Sequence, residues 1–444
     1  MFGGETESFR DSGLAFQSCG DITAMQNALL RRHVSYLAGH SPYYRQSFAA
    51  AGVDPSQVQS ISDLVRLPLT SKDDLALRPE MFHCVAAEEF ADLCLTSGTT
   101  GKPVALPQTI QDLERVGFNE EMSFRIAGIS RGDRVLVAAA MDRCFMAGLA
   151  YFLGLNRVGA LAIRGGSSSI HALAELVQDH RPTAIVGVPT LLLRLAESLQ
   201  NGGSQPAELG VERLICIGEP VRRADLSLSV LGQRLTEIWD AKLFGTYACT
   251  EMATAFTDCE AGCGGHVIPE LIIVEIIDER GEGLPPGQVG EVVVTPLQVK
   301  GMPLLRFRTG DMAALHNEPC GCGRNSWRLG PILGRRAQML KYRGTTLFPS
   351  AIFRVLEEID WIRGYYLEVF NEFELSDRVR IVVGSIDAHP DAAIVAERIA
   401  ARIRVKPELS VVSPEDILKK ITQPGKRKPV TFFDYRESPH KRNE

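Results

Sequence analysis

The chain has 444 residues, 45% of them hydrophobic, and a formal charge of −6 at pH 7. Because a single core stops growing near ~250–300 residues, this length predicts a globular protein of two or more domains. The acidic balance gives no electrostatic footprint for nucleic acid, and the longest apolar run, residues 144–155, is too short to span a bilayer. Residues 1–13 lack the basic start and apolar stretch of a signal peptide, so the sequence predicts a cytoplasmic protein with no membrane partner.

Helical patterning characterises the first part of the chain, with an amphipathic stretch at residues 21–40 and a segment at 62–72 that leads into a glycine-rich loop. The next region alternates strand-like apolar runs with helix-like segments, at 135–137, 171–179, 184–188, 191–199 and 214–217. This alternation predicts an α/β fold with parallel strands.

The periodicity changes after Tyr247. Apolar runs at 271–278 and 291–295 flank a Gly/Pro loop at 282–290, which predicts a β-rich subdomain over about 258–334.

A small α+β unit is predicted from residue 335 onward, with a helix at 350–358 and strands at 365–370 and 379–383. We therefore expect a large N-terminal domain of residues 1–334 and a C-terminal lid domain of residues 335–444.

Residues 95–103 read Leu-Thr-Ser-Gly-Thr-Thr-Gly-Lys-Pro, a run of hydroxyls and glycines that ends in one lysine. Glycine lets backbone N–H groups approach a ligand, hydroxyls donate further hydrogen bonds, and Lys102 adds a mobile positive charge, so the run predicts a polyphosphate cradle. It is not a Walker loop, because Gly98 and Gly101 lie too close together and Pro103 replaces the magnesium-binding Ser or Thr. Taken alone, it also fits a solvated loop. The candidate phosphate-binding residues are Thr96, Ser97, Gly98, Thr99, Thr100, Gly101 and Lys102.

Further segments, in this order and spacing, resemble the adenylate-forming superfamily of acyl-CoA synthetases, adenylation domains and luciferases. They are the aromatic-x-x-Thr-Glu segment at 247–251, Arg-Thr-Gly-Asp at 308–311, the hinge region of Gly334-Arg335 with 341–344, and Pro-Gly-Lys at 424–426. Other segments resemble the phenylacetate-CoA ligase branch more narrowly, namely 41–45, 67–72, 217–220 and 348–349.

The resemblance implies catalytic roles for a few residues. Glu251 would hold Mg²⁺ on the ATP phosphates, Thr250 would donate to the α-phosphate, and Asp311 would accept hydrogen bonds from both ribose hydroxyls. Lys426 would neutralise charge between the carboxylate and the α-phosphate, with Lys428 as a competitor in the same basic tail. Each role has a simpler alternative. Glu251 could be a capping or ion-pairing carboxylate, Asp311 a turn aspartate, and the segment with Lys426 a solvated tail.

The same resemblance implies the outlines of two pockets. Tyr247 would stack on adenine, with a buried core tyrosine as the alternative, and an apolar acyl pocket would suit an aromatic or other flat apolar acid. The nucleotide wall would be formed by Gly218, Glu219 and Pro220, with Arg335 at the hinge, and the acyl pocket by Phe145, Ala147, Tyr151, Pro189 and Ala248. The hinge departs from the family pattern at Ala337, where the family has Asp or Lys, which leaves the rate or extent of domain rotation open.

Four cysteines and one histidine form two groups, Cys259-x3-Cys263-x2-His266 and Cys320-x-Cys322. Thiolate and imidazole at such spacing suit a closed tetrahedral zinc site, and the resemblance implies a structural one. Five candidates compete for four positions. We favour Cys259, His266, Cys320 and Cys322, with Cys263 as a spare, and free thiols as the alternative.

Together these features predict an ATP-dependent acid:CoA ligase for an aryl acid, which forms acyl-AMP and then acyl-CoA with release of AMP and pyrophosphate. The expected cofactors are ATP, Mg²⁺, CoA and structural Zn²⁺, and the resemblance implies a homodimer whose small domain rotates between half-reactions. Two alternatives remain open. One is transfer of the acyl group to a carrier-protein thiol or another nucleophile, and the other is a non-catalytic nucleotide-binding protein.

Overall fold

The computed structural model describes residues 9–10, 13–96, 103–166, 168–342, 345–373, 376–387, 391–403, 408–423 and 429–436. The chain forms two compact units, the first bounded by Met1–Thr309 and Ala313–Ile332, the second by Gly310–Met312 and Leu333–Glu444. The predicted α/β class is confirmed. The functional division between residues 334 and 335 stays a prediction.

Several helices of the described residues begin at side chains that cap them. Ser18 accepts a hydrogen bond from the Asp21 amide at the first helix, and Thr109 forms a capping box with Asp112 at the fourth. In chain order they are α1 (Cys19–His40), α2 (Pro42–Ala51), α3 (Lys72–Leu77), α4 (Ile110–Ile126), α5 (Met146–Val158), α6 (Ile170–His180), α7 (Pro189–Asn201), α8 (Val230–Trp239), α9 (Pro349–Glu357), α10 (Ala392–Ile403) and α11 (Pro414–Ile421).

The strands of the first unit lie where the sequence alternates or runs apolar. They are β1 (Phe90–Leu95), β2 (Ala105–Thr109), β3 (Arg134–Val137), β4 (Leu161–Arg164), β5 (Ala184–Gly187), β6 (Arg213–Ile217), β7 (Lys242–Cys249), β8 (Thr254–Asp258), β9 (Gly265–His266), β10 (Ile272–Ile277), β11 (Val289–Pro296), β12 (Phe307–His316) and β13 (Arg328–Leu329). The remaining strands are β14 (Gly334–Arg335), β15 (Leu340–Tyr342), β16 (Thr345–Leu347), β17 (Ile362–Phe373), β18 (Ser376–Ser385), β19 (Glu408–Val412) and β20 (Phe432–Asp434).

The main sheet of the first unit has the strand order β10-β11-β12-β13-β9-β8-β7-β6-β5-β3-β4. Strands β3 to β7 pair in parallel, as the alternating pattern predicts, and β8 pairs antiparallel with β7. The β-rich region predicted at about 258–334 therefore continues the parallel sheet. Its separate appearance in the sequence reflects a change of pairing direction, because antiparallel neighbours need only short turns between them.

Hydrophobic clusters on α4 to α8 pack with the parallel strands. One cluster joins α6, α7 and α8, with Trp239 fully buried, and another includes Phe124 of α4 and Leu155 of α5. A sheet packed in this way leaves the ends of its strands for ligands. Strand β3 has β4 on one side and β5 on the other, so the chain order reverses there, and ligands of such folds bind outside the carboxyl ends of the strands near this reversal.

The second unit has a sheet of order β19-β18-β17-β20, in which β17 and β18 form an antiparallel pair and the outer strands run parallel to their neighbours. Its core includes Ile352 and Leu356 of α9 and Val395 of α10, packed with apolar residues of β17 and β18. Within the described part of the chain, no helix combines the length and apolar character needed to cross a membrane. The cytoplasmic location stays a prediction.

Candidate active site

The glycine-rich loop is closed at its base by the hairpin of β1 and β2. Leu95 pairs with Ala105, and Thr96 and Val104 exchange two hydrogen bonds, from the Thr96 amide to the Val104 carbonyl at 3.0 Å and from the Val104 amide to the Thr96 hydroxyl at 2.9 Å. The Thr96 side chain thus helps to close the loop. The other predicted phosphate-binding residues, 97–102, lie outside the described residues.

Most of the predicted pocket residues follow the carboxyl ends of neighbouring strands. Pro189 begins α7 after β5, Gly218 follows β6 in the left-handed region at φ 74°, and Glu251 lies in a short 3-10 helix after β7. In a parallel sheet these ends share one edge, and there the sequence motifs predict nucleotide binding.

Glu251 is the buried carboxylate of this edge. Only 6% of its side chain is exposed, and the ammonium group of Lys72 lies 2.8 Å from its Oε1 atom. Lys72 is the first residue of α3, positioned by the capping box of Ser71 and Asp74. The motif around Lys72 was visible in the sequence, but its partner was not, because the two residues are far apart in the chain.

The predicted nucleotide wall is linked to the neighbouring helix. The Glu219 carboxylate accepts hydrogen bonds from the backbone N–H of Thr190 at 3.1 Å and from its hydroxyl at 3.0 Å. The half-buried Tyr247 ring stacks with Phe256 at a centroid distance of 6.0 Å. Pro220 is exposed beside Glu219. These contacts hold the segment after β6 against the first turn of α7.

The residues predicted for the acyl pocket differ in exposure. Phe145 and Ala147 are half-buried, Pro189 is buried and Ala248 is exposed. Tyr151 is 5% exposed and packs in the core against Phe124, with 6.0 Å between ring centroids, and burial raises the pKa of its hydroxyl well above the usual value. Their shared role in binding an acid stays a prediction.

Two predicted residues of the second unit are paired. Asp311 and Arg335 occupy facing positions in β12 and β14, and Arg335 Nε lies 3.4 Å from Asp311 Oδ1. Asp311 is only 9% exposed. Ala337, at the predicted hinge, accepts a hydrogen bond at its carbonyl from Arg436. Both lysine candidates for catalysis, Lys426 and Lys428, lie outside the described residues.

The structure brings together Cys259, His266, Cys320 and Cys322, whose ligand atoms all lie within 4.8 Å of one another. The Sγ atoms of Cys259 and Cys320 are 3.5 Å apart, and Cys322 Sγ lies 3.4 Å from His266 Nε2. Ligands of a tetrahedral zinc ion with bonds of about 2.3 Å lie roughly 3.8 Å apart, so this group has dimensions that fit zinc. Cys263 donates instead to the Ala261 carbonyl and is not part of the group.

The surroundings of this group affect its protonation. Burial lowers the pKa of His266 to about 3, so the imidazole is neutral, and its Nδ1 lies 3.4 Å from the Ser326 hydroxyl. Burial opposes ionisation of Cys322, but hydrogen bonds, including one from Arg324, hold its pKa below the ordinary value. A neutral imidazole with an oriented second nitrogen is typical of metal ligation.

The loop that carries Cys320 and Cys322 also contacts the start of the chain. The Asn325 amide donates to the Ala15 carbonyl at 2.7 Å, and the Arg324 guanidinium lies over the Phe16 ring at 4.7 Å. The cysteine loop is therefore continuous with the packing of the segment before α1.

The family model described as AMP-binding enzyme matches residues 37–300. The chain belongs to the family of AMP-binding enzymes, within the phenylacetate-CoA ligase-like branch of the adenylate-forming superfamily. The resemblance stated from the sequence motifs is confirmed.

Two relatives illustrate this membership. The chain is 33% identical over 350 residues to phenylacetate-coenzyme A ligase of Thermus thermophilus, covering 78% of this chain and 77% of the relative. It is 32% identical over 325 residues to phenylacetate-coenzyme A ligase of Pseudomonas putida, covering 73% and 72%. The crystal structure of 2-hydroxyisobutyryl-CoA ligase in the postadenylation state, in complex with R3-HIB-AMP, superposes with a TM-score of 0.84 at 22% identity, covering 97% of this chain and 95% of that one. That structure shares the fold.

Proposed function

We propose that this protein joins a carboxylic acid to coenzyme A through an acyl-adenylate, with ATP as the second substrate and AMP and pyrophosphate as products. The observation that carries the proposal is the buried Glu251 carboxylate, which lies at the carboxyl edge of the sheet and pairs with a cation, Lys72. Relatives at 33% and 32% identity are named phenylacetate-coenzyme A ligases, which supports the reaction class.

The first step joins two anions. A carboxylate oxygen attacks the α-phosphorus of ATP, a P–O bond forms, and the bond to pyrophosphate breaks. Positive charge must offset the repulsion, and a dry, preorganised site does this best. Mg²⁺, when bound, supplies such charge, and the buried Glu251 carboxylate fits as the side chain that would hold it. Thr250 is placed beside Glu251 in the same 3-10 helix and would donate to the α-phosphate.

The second step is transfer of the acyl group from the adenylate to the thiol of CoA. The thiol sulfur attacks the carbonyl carbon, the C–S bond forms, the C–O bond to AMP breaks, and the thiol proton is released. The resemblance of residues 424–426 to the family's Gly-Lys segment assigns Lys426 to the first step. A lysine beside the α-phosphate serves adenylation and not thiolysis. Asp311 would bind the ribose hydroxyls, and its pairing with Arg335 keeps the carboxylate oriented.

The proposed substrate is an aryl acid. Phe145, Ala147 and Ala248 offer apolar surface near the strand ends, with Pro189 buried at the start of α7, and flat apolar acids bury well against such surface. The two relatives named above support an arylacetic acid as the first compound to test.

We further propose that Cys259, His266, Cys320 and Cys322 hold a structural zinc ion. Four closely spaced sulfur and nitrogen donors, three of them buried, leave no open position for a substrate, as in closed structural sites. The zinc site would therefore stabilise the fold and have no part in the reaction.

The test is incubation of the protein with Mg-ATP and a pool of aryl and short aliphatic acids, with and without CoA, followed by mass spectrometry. Acyl-CoA with AMP is the expected product. Acyl-AMP that accumulates despite CoA would favour a carrier-protein thiol, and no turnover of any acid would contradict the proposal.

The Lys426→Ala and Lys428→Ala variants form a matched pair. Lys426→Ala is expected to lower adenylation by several orders of magnitude while thioester formation from supplied acyl-adenylate is largely retained. The opposite ranking would assign the role to Lys428, and equal loss of both steps would contradict the lysine assignment.

A further inference from the structure

Helix α4 carries two side chains, four residues apart, that hold the backbone immediately after Glu251. Arg115 donates from Nη1 to the Ala253 carbonyl at 2.6 Å and from Nη2 to the Thr254 hydroxyl at 3.1 Å. The Asn119 side-chain oxygen accepts from the Ala255 amide at 3.1 Å. Because residues four apart share a helix face, one face of α4 anchors three successive residues.

Arg115 also ties this segment to other parts of the sheet. Its guanidinium is completely buried, and further N–H groups donate to the carbonyls of Leu297 and Leu271, each at 2.7 Å. Burial lowers its pKa to about 10, so the group remains charged at neutral pH. The planar fork of a guanidinium serves several acceptors in fixed directions, which a lysine ammonium does not reproduce.

The anchored segment needs support, since its backbone is in a conformation that alanine seldom adopts. Ala253 has φ 45° and ψ 32°, in the left-handed region, where an L-residue is strained. A charge-assisted hydrogen bond from Arg115 to the Ala253 carbonyl offsets this strain.

A small cavity lies beside the same turn. Polar side chains that line it are Gln108, Asp112, Arg115, Thr250 and Glu251. Gln108 is 6% exposed, and its Oε1 atom has no hydrogen-bond partner among the residues that the structure describes. The side of Glu251 that faces this cavity is not closely packed, so its position depends on the Lys72 ion pair and on the backbone anchors.

We propose that Arg115 is a positioning residue for the Thr250–Glu251 turn. It fixes the backbone in the conformation that directs the Glu251 carboxylate to the metal on the nucleotide phosphates, and this inference rests on the proposed function. Without the Arg115 guanidinium, the Glu251 carboxylate should point away from the metal. More Mg²⁺ would then be needed for the same rate of acyl-AMP formation.

The decisive variant is Arg115→Lys, which keeps the charge, and Arg115→Met is its companion. We expect the Mg²⁺ concentration for half-maximal acyl-AMP formation to rise at least fivefold in Arg115→Lys, and KM for the acid to stay within twofold. The matched control is Arg134→Lys, because Arg134 donates to the His180 and Arg181 carbonyls near the amino end of β3, at the opposite edge of the sheet. Its Mg²⁺ dependence should equal that of the unmodified protein.

Two results would overturn the inference. One is a Mg²⁺ dependence in Arg115→Lys equal to that of the unmodified protein, whatever its melting temperature; the other is an equal shift in Arg134→Lys. If Arg115→Met fails to fold, Arg115→Lys alone decides. Calorimetric titration with Mg-ATP, without any acid, separates this outcome from failure of the proposed function. If the unmodified protein forms no acyl-AMP, the proposed ligase activity is refuted. If Arg115→Lys binds Mg-ATP with unchanged affinity, the positioning role of Arg115 is refuted.

Discussion

The ammonium group of Lys72 lies 2.8 Å from the Glu251 carboxylate, so this buried acid of the candidate site has a cationic partner. A buried carboxylate that exchanges one cation for another avoids the free-energy cost of an unpaired charge in a site without water. In the proposed function Glu251 would hold magnesium, and the Lys72 ammonium group, released from the carboxylate, would then lie close to the phosphates. The pair would thus serve a metal and a polyanion together.

Lys72→Met tests this exchange. Because the polyphosphate would lose one positive charge, we expect KM for ATP to rise about tenfold, equivalent to roughly 1.4 kcal/mol, with a smaller effect on KM for the acid. Lys242→Met is the control, since Lys242 pairs with the exposed Glu260 on the surface. Steady-state kinetics at several ATP concentrations measures both variants. An unchanged KM for ATP in Lys72→Met would show that the pair is only structural.

The cysteine group predicts a metal-dependent stability. Cys320→Ser should lose the bound zinc and lower the melting temperature by several degrees, because metal binding to the folded chain contributes folding free energy. Cys263→Ser is the matched control, as its thiol lies outside the group and donates to a backbone carbonyl. Zinc content by atomic emission and thermal unfolding are the measurements. Equal zinc content in the two variants would return these thiols to the free-thiol interpretation.

A buried ion pair connects the cysteine group to the nucleotide wall. Asp258, which precedes Cys259, accepts a hydrogen bond from Arg222 Nε at 2.6 Å, and Arg222 follows Pro220 by two residues. Asp258→Asn leaves the guanidinium without its charged partner, so we expect a loss of roughly 3–5 kcal/mol in the free energy of unfolding and a several-fold rise in KM for ATP. The surface pair of Arg234 and Glu197 provides the control Glu197→Gln, expected to cost at most about 1 kcal/mol. A normal KM for ATP in Asp258→Asn would mean that the pair does not support the nucleotide wall.

Glu120 predicts a pH-dependent stability. Burial raises the pKa of this carboxyl to about 8, although Asn119 donates to it at 2.9 Å. Since the pKa in the unfolded chain is near 4.5, the folded state binds more protons between these values, and stability falls as pH rises from about 4.5 to 8. Each pH unit costs at most about 1.4 kcal/mol.

Glu120→Gln resembles the protonated carboxyl and should flatten this decline, so its melting temperature should exceed that of the unmodified protein at pH 8 and match it near pH 4.5. The control is Glu121→Gln, which removes ion pairs with Arg125 and Arg157 and should lower stability at pH 8 without flattening the profile. Parallel profiles of melting temperature against pH for Glu120→Gln and the unmodified protein would contradict the raised pKa of Glu120.

Much of the fold could be predicted because periodicity reports burial directly. The parallel strands at 184–187 and 213–217 and the helix at 349–357 lie within a residue or two of their predicted positions. The cysteine group could be proposed because its ligand chemistry is rare and local in sequence. The continuation of the sheet beyond β7 could not be predicted, because strand pairing depends on register between distant segments and not on composition.

The partners of the site residues were equally hidden. Lys72 reaches Glu251, and Arg115 reaches Ala253 across a sequence separation of 138 residues. Nothing in the local pattern of α4 marks Arg115 as buried, because an arginine on an amphipathic helix is normally read as part of its exposed face. Long-range hydrogen bonds to backbone carbonyls leave no signature in a single sequence.

The contact between the cysteine loop and the segment before α1 has a consequence for folding during synthesis. Asn325 donates to the Phe16 carbonyl, 309 residues earlier in the chain. At about 5–20 residues per second, roughly 15–60 s separate the emergence of these two partners from the ribosome. Throughout that interval the hydrogen bonds between this segment and the cysteine loop cannot form, so the segment before α1 completes its packing only after residue 325 has been made.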